Sequence, residues 1–360
     1  MAAVGAASCA FVLPVTPASA GPHHPAPMLS VAKTLSDQFV GPLQFAVSGR
    51  RVVVADSFTS TLWEIGRSTP LATGPSPATG GDLAGVALGA GGRSFAYTTS
   101  TGDHSSTGLT IRTDGRKPVV ADLSGFESRV NPDRTMRYGV SNPSQCVADA
   151  LAAAEIPADY TGTKDSHPYA VAALDRGAWA VADAGGNDVL KVDRYGRVSV
   201  IAVLPAQPAT ITAEMAAELK LPSCVVGITY RFEAVPTDVE VGPHGALYVT
   251  TLPGGPEGPS SGARGSVYRI DRNGHTARVA TGFAGATNLA VDPRGTVYVA
   301  ELGAGRISKV ECGRTSTVAE LPGVVAVEYA NGHLYASLAP ALSGGQAPGS
   351  VVVLGPAQAS

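Results

Sequence analysis

The residues best able to do chemistry are polar groups at the ends of short apolar segments. Gln44, Asp82, Thr237, Asp238 and Asn288 open such segments, and Asp56, Asp183 and Glu301 close them. His167 and Glu233 stand immediately before segments of the same kind. Carboxylates, an Asn and a His gathered round one opening could hold a hard divalent cation such as Ca2+ or a small polar ligand. Asp238, Asn288 and Glu301 are the candidate metal ligands, with Asp183 beside them as a ligand-binding group. His167 and Glu233 are the candidate acid–base groups. Asp and Asn at strand ends also cap turns by accepting backbone N–H bonds, and the repeat of Asp56 and Asp183 at one position favours that role.

Whether these residues meet depends on the elements that carry them. The stretch Pro236–Leu302 holds four short apolar segments separated by turns such as Gly242-Pro-His-Gly and Asp271-Arg-Asn-Gly, and then begins again at Asn288-Leu-Ala-Val-Asp-Pro-Arg-Gly. Four strands per unit, with the unit repeated, is the pattern of a β-propeller blade. Units start at Pro42, Asp82, Tyr169, Pro236, Asn288 and Val324, so the expected fold is an all-β, six-bladed propeller. The sixth unit has only three strands. The lone segment Leu29–Leu35 is expected to complete it, since an open edge there would invite aggregation; packing against the side is the alternative. In a blade, first strands begin and second strands end at the same face, so the polar residues above should converge on one mouth of the central channel.

Two stretches interrupt the repeat on either side of the third unit, residues 125–167 and 205–236. Helices are expected near Gln145–Glu155 and Thr212–Lys220, with Thr212 as N-cap and Pro157 and Pro222 just beyond the ends. Cys146 and Cys224 lie one in each insertion. Both insertions leave the same blade, so a Cys146–Cys224 disulfide is expected, leaving Cys312 as a small buried or turn residue. The Gly/Pro loop from Leu252 to Gly265 falls on the same face, where its backbone could approach a ligand and Arg264 could answer a carboxylate; a flexible linker is the other reading. His104, His244, His275 and His333 read as loop or turn residues.

The N-terminal run Val4–Val15 and the small residues Ala18-Ser-Ala20 read as an export signal over residues 1–20, although no Lys or Arg precedes Lys33. Residues 21–27 make a flexible lead-in and 28–355 a single domain of a secreted protein. Only 15% of residues are charged and the net charge is −3, which gives no electrostatic ground for a nucleic-acid partner. Beyond the N-terminus nothing approaches the roughly 18 apolar residues of a membrane span. Phosphate-loop and zinc-protease motifs are absent. The expected partner is a small polar ligand or another protein, and the expected state a monomer.

Asp165-Ser-His-Pro-Tyr-Ala, Val181-Ala-Asp-Ala-Gly-Gly-Asn, Pro236-Thr-Asp-Val-Glu-Val-Gly-Pro-His-Gly and Gly282-Phe-Ala-Gly-Ala-Thr-Asn-Leu-Ala-Val resemble the ScyD/ScyE family of exported bacterial proteins, many from actinobacteria. The resemblance covers most of the chain after residue 20 and implies a propeller related to NHL-repeat proteins, with no reaction attached to any residue. More distantly, the stretch from Asn288 to Val299 resembles gluconolactonase-like propellers. That likeness implies a channel metal held by a Glu, an Asn and an Asp. Asn288 and Asp238 match two of these, whereas Gln44 stands near the place of the Glu. The leading expectation is a binding propeller using its funnel; the alternative is a metal-dependent hydrolase or lyase with His167 as acid–base.

Overall fold

The computed structural model describes residues 28–256 and 259–357. The expected export signal and lead-in lie outside the described residues. The chain is mostly β. Seven four-stranded antiparallel sheets occur among the described residues. Six of them follow one plan, in which consecutive strands lie side by side. The first comprises Pro42–Ser48, Arg51–Asp56, Thr61–Glu64 and Ala72–Thr73; the second, Asp82–Leu88, Ser94–Ser100, Thr107–Thr113 and Val119–Asp122. The third comprises Pro168–Ala173, Trp179–Asp183, Asp188–Val192 and Val198–Val203. The fourth runs from Pro236–Val241 to Thr276–Phe283, and the fifth from Ala286–Val291 to Arg314–Glu320. The sixth holds Val324–Ala330, His333–Leu338 and Gly349–Pro356, with Leu29–Phe39 in the outer place. First strands of successive sheets pack on one another, and Val324–Ala330 packs on Pro42–Ser48.

The sequence supports this packing with short side chains. Inner and second strands bury Val53, Val54, Ala170, Ala180, Val181, Ala182, Val249 and Val299, so neighbouring sheets approach closely. At Gly85 a Cβ would stand 2.9 Å from the Cα of Ala170, closer than side chains come, which explains a glycine inside a strand. Turns are built by one device. Asp193, Asp271 and Asp292 each accept backbone N–H bonds from residues two and four ahead.

The two insertions build the seventh sheet, which sequence analysis did not foresee. Its strands, in order, are Asp159–Thr161, Arg137–Gly139, Thr229–Phe232 and Gln207–Thr210. Three helices occur among the described residues: α1 (Leu123–Val130), α2 (Gln145–Ala153) and α3 (Ala213–Glu218). Asp122, Ser144 and Thr212 cap their N-termini through side-chain oxygens. Helix α1 was also not foreseen. The insertions share a core of their own, including Val147, Leu151, Met215, Val225 and Phe232.

Cys146 and Cys224 form a disulfide that closes 78 residues of chain and joins the two insertions. Cys312 is an exposed turn residue. A Cys146→Ser/Cys224→Ser variant should lose about 2–4 kcal/mol from the insertion unit. Native-state hydrogen exchange should then speed up across α2 and α3 and stay unchanged in the strands of the fifth sheet. Equal acceleration in both regions would show that the insertions are not a separate unit.

Candidate functional site

The polar residues expected at one mouth divide into separate networks. In the channel, the Gln44 amide donates to the Thr237 carbonyl at 3.2 Å and accepts from Asn288 Nδ2 at 2.9 Å. Its side chain thus crosses from the first sheet to the fourth and fifth. Asn288 Oδ1 accepts the Val327 N–H at 2.7 Å, and Asp238 Oδ2 accepts the Leu289 N–H at 2.9 Å. Gln44, Asp238 and Asn288 are all buried. Burial raises the Asp238 pKa to about 7, against the pull of the backbone N–H groups of Leu289 and Val239. These side chains stitch inner strands of the first, fourth, fifth and sixth sheets together.

Glu301 does not join them. Its carboxylate takes the Ala284 N–H at 2.8 Å, pairs with Arg306 at 2.9 Å and accepts from Ser308. The donors named for a cation are therefore committed elsewhere, and among the described residues no three His, Cys, Asp or Glu side chains are grouped to hold a metal ion. Asp238, Asn288 and Glu301 do not fit a Ca2+ site. Arg264 also departs from expectation. Among the described residues it pairs with no carboxylate; it donates to the carbonyls of Gly254, Pro253 and Pro256, and its guanidinium lies over the Phe232 ring at 4.6 Å. Burial lowers its pKa. It pins the Gly/Pro loop to the insertion sheet.

Asp56, Asp183 and Glu301 close second strands in the same manner. Each carboxylate accepts an N–H from the chain leading into the first strand: Gly41 at 2.6 Å, His167 at 2.6 Å and Ala284 at 2.8 Å. Asp183 accepts further from the Ser166 hydroxyl at 2.6 Å and the Gly186 N–H at 3.1 Å, yet burial still raises its pKa.

His167 heads the second network. Its Nε2 bonds Asp82 Oδ2 at 2.9 Å, and its ring stacks on His104 at 4.6 Å between centroids. His104 Nδ1 bonds Asp165 at 2.7 Å. Burial opposes protonation of His167, but the Asp82 bond and the charges of Asp82, Asp183 and Asp165 outweigh it and raise the pKa. His104 is a turn residue with φ +54°, but the turn delivers it onto His167. Sequence reasoning missed that role, because nothing local links residue 104 to residue 167.

The third feature is a cavity of about 400 Å³ on the insertion sheet. Leu151, Ile156, Ile211, Leu219 and Leu221 wall it on one side, and Gly254–Pro256 on another. Tyr160, Tyr230, Phe232 and Glu233 complete the lining. The Tyr160 hydroxyl donates to Glu233 Oε1 at 3.1 Å. Burial raises the Glu233 pKa, the Tyr160 bond opposes the rise, and the charges of Asp133 and Asp165 add to it. Glu233 is the one expected site residue that reaches this cavity. Thr229-Tyr-Arg-Phe alternates with period two and was the available signal for a strand with aromatic residues on one face.

No protein-family model matches the chain, and no curated protein matches it. Solved structures do. One is a protein of unknown function from Bacteroides thetaiotaomicron, 13% identical over 91% of this chain and 76% of that one, with a TM-score of 0.54. Another is the PQQ-bound aldose sugar dehydrogenase of Streptomyces coelicolor, 15% identical over 91% and 99%, with a TM-score of 0.50. Virginiamycin B lyase from Staphylococcus aureus is 14% identical over 86% and 80%, with a TM-score of 0.48. What the chain shares with the first two of these is the fold, a propeller-like arrangement of four-stranded antiparallel sheets.

Proposed function

We propose that the chain is an exported six-bladed propeller of the ScyD/ScyE type, closed by Leu29–Phe39, that works as a small-molecule binding module. Its binding site is the insertion cavity rather than the channel. The carrying observation is the cavity itself: about 400 Å³, mostly apolar, with Glu233 as the one ionisable carboxyl among its described lining residues. That volume and lining fit a ligand pocket. Three features hold it in shape before any ligand arrives. The disulfide ties α2 to the turn after α3, the Tyr230 hydroxyl is fixed on the Pro157 carbonyl at 2.8 Å, and Arg264 holds the loop. A preformed cavity spares the ligand the cost of ordering its site. Export agrees with the disulfide, and no described helix is long and apolar enough to cross a membrane. The ligand expected is small, with an apolar body and one polar group.

A thermal-shift screen of small molecules on the intact protein tests this reading. Compounds that raise the midpoint should lose their effect in Leu221→Trp, which fills the cavity from its half-buried wall. Shifts that survive in Leu221→Trp would place the ligand elsewhere and end the proposal.

A catalytic reading rests on a different observation, the Asp82–His167 pair with His104–Asp165 stacked beside it. A histidine held by a carboxylate is suited to proton transfer at a hydrolase or lyase centre. Turnover in a lactone panel that vanishes in His167→Gln, with ligand binding unchanged in the cavity, would carry it. Turnover unaffected by that substitution would exclude His167 as the acid–base.

A further inference from the structure

The cavity has a chemical bias that its volume alone does not express. Of its described lining residues Glu233 alone is charged, and it sits beside three aromatic rings, Tyr160, Tyr230 and Phe232. Tyr230 and Phe232 stand 4.7 Å apart between centroids at an angle of 42°. Tyr160 is anchored to Glu233, and Tyr230 to the Pro157 carbonyl. Two further carboxylates, Asp133 and Asp165, act on Glu233 from outside the cavity. Aromatic faces are negative at their centres and attract cations, more strongly where water is excluded. One ring already does so, since the Arg264 guanidinium covers a face of Phe232. That guanidinium is spent on the carbonyls of Pro253, Gly254 and Pro256.

From this arrangement we infer that the cavity receives an organic ammonium ion: an apolar body against the leucine and isoleucine wall, and a cationic head between the tyrosine rings and Glu233. An anion would meet the Glu233 charge, and a wholly apolar molecule would bury that carboxyl with nothing to replace its water. The inference rests on the cavity being the binding site and adds the class of ligand. It also predicts a pH dependence. Glu233 has a raised pKa in the empty cavity, so a permanently charged ammonium ion binds more tightly as pH rises through that value and the carboxylate forms.

The test is a ligand-observed NMR titration of the intact, disulfide-bonded chain with benzyltrimethylammonium, its uncharged carbon isostere neopentylbenzene, and 4-tert-butylbenzoate. The ammonium ion should bind about tenfold or more tightly than the isostere, and its affinity should rise from pH 5 to pH 8. Glu233→Gln should abolish both the preference and the pH dependence. Tyr160→Leu, which leaves the carboxyl in place, should cut the preference about threefold and serves if the Gln variant does not fold. Equal binding of ammonium ion and isostere, or a preference untouched by either substitution, would overturn the ammonium assignment and leave the cavity reading standing. Failure of all three compounds to bind would overturn both.

Discussion

A chain lacking residues 28–39 should lose its cooperative unfolding transition. Leu29–Phe39 is the outer strand of the sixth sheet, paired from Leu29 opposite Pro356 to Phe39 opposite Gly349. Three of its side chains are built into the core. Phe39 is buried with Phe45, Val54, Tyr335 and Val351, Leu35 packs on the same group, and Leu29 packs on the group containing Leu354 and Val352. The residue that follows the strand continues the join, because the Val40 N–H donates to Asp56 in the first sheet. One segment from the start of the chain thus ties the last sheet to the first. Full burial of a large apolar side chain is worth about 1.5–3 kcal/mol; with Phe39 buried and Leu29 and Leu35 half-buried, the three together are a large share of a typical net stability of about 5–15 kcal/mol. Deletion would also bare the Val351–Leu354 edge, a run of adjacent apolar residues inviting intermolecular pairing. Urea unfolding followed by circular dichroism, with size-exclusion chromatography, should show an early, broad transition and aggregates. Phe39→Ala, a milder change, should cost about 3–4 kcal/mol. A deletion variant with the parental midpoint would refute the structural role assigned to this strand.

That repeat was legible because its punctuation is chemical. Asp193, Asp271 and Asp292 make turns by one side-chain device, and the short apolar segments between turns show period two. The disulfide was legible from topology, since two insertions leaving one blade must lie close. The insertion sheet was not: Arg137–Gly139 and Asp159–Thr161 are three residues each, too short for a periodicity to register. The partners of the site residues were not legible for a related reason. Repeat position places Asp183, Asp238, Asn288 and Glu301 near strand ends but does not say what each side chain must satisfy there. Unpaired N–H groups at those ends are costly when buried, and the carboxylates meet that need first. Glu301 is further claimed by Arg306, five residues on. The aromatic wall of the cavity comes from Tyr160 and Tyr230, which are brought together only when both insertions fold.

Asp188→Asn should stabilise the protein, and by more at higher pH. Asp188 was not singled out in the sequence, yet it is wholly buried and neither carboxylate oxygen has a hydrogen-bond partner. It stands directly opposite Asp183 across two antiparallel strands, where like charges are unfavourable. Glu127 on α1 and Asp133 after it face the same region. Burial, then Asp183, Glu127 and Asp133, push the Asp188 pKa well above its ordinary 3.8. Glu127 rises to about 8 through burial and the charges of Asp183, Asp133 and Asp165. In both cases the folded chain keeps a proton that the unfolded chain releases. Stability therefore falls as pH climbs above the unfolded value, by about 1.4 kcal/mol per pH unit for each group, until the folded pKa is reached. Asn has nearly the shape of the protonated acid and never ionises, so the variant loses the Asp188 slope and keeps that of Glu127. Stabilities from urea unfolding should coincide near pH 4 and separate progressively as the pH rises toward 8, the variant being the more stable. Parallel curves, or a variant less stable throughout, would show that Asp188 is ionised and compensated in the folded protein. The same groups join the first insertion to the third sheet, where Asn187 donates to Asp133 at 3.2 Å and accepts the Val235 N–H at 3.0 Å. Ionisation loads that joint with unbalanced charge, next to the segment that carries Glu233 into the cavity. After correction for intrinsic exchange rates, hydrogen exchange across residues 123–140 should accelerate from pH 6 to pH 9 in the parent protein, and less so in Asp188→Asn.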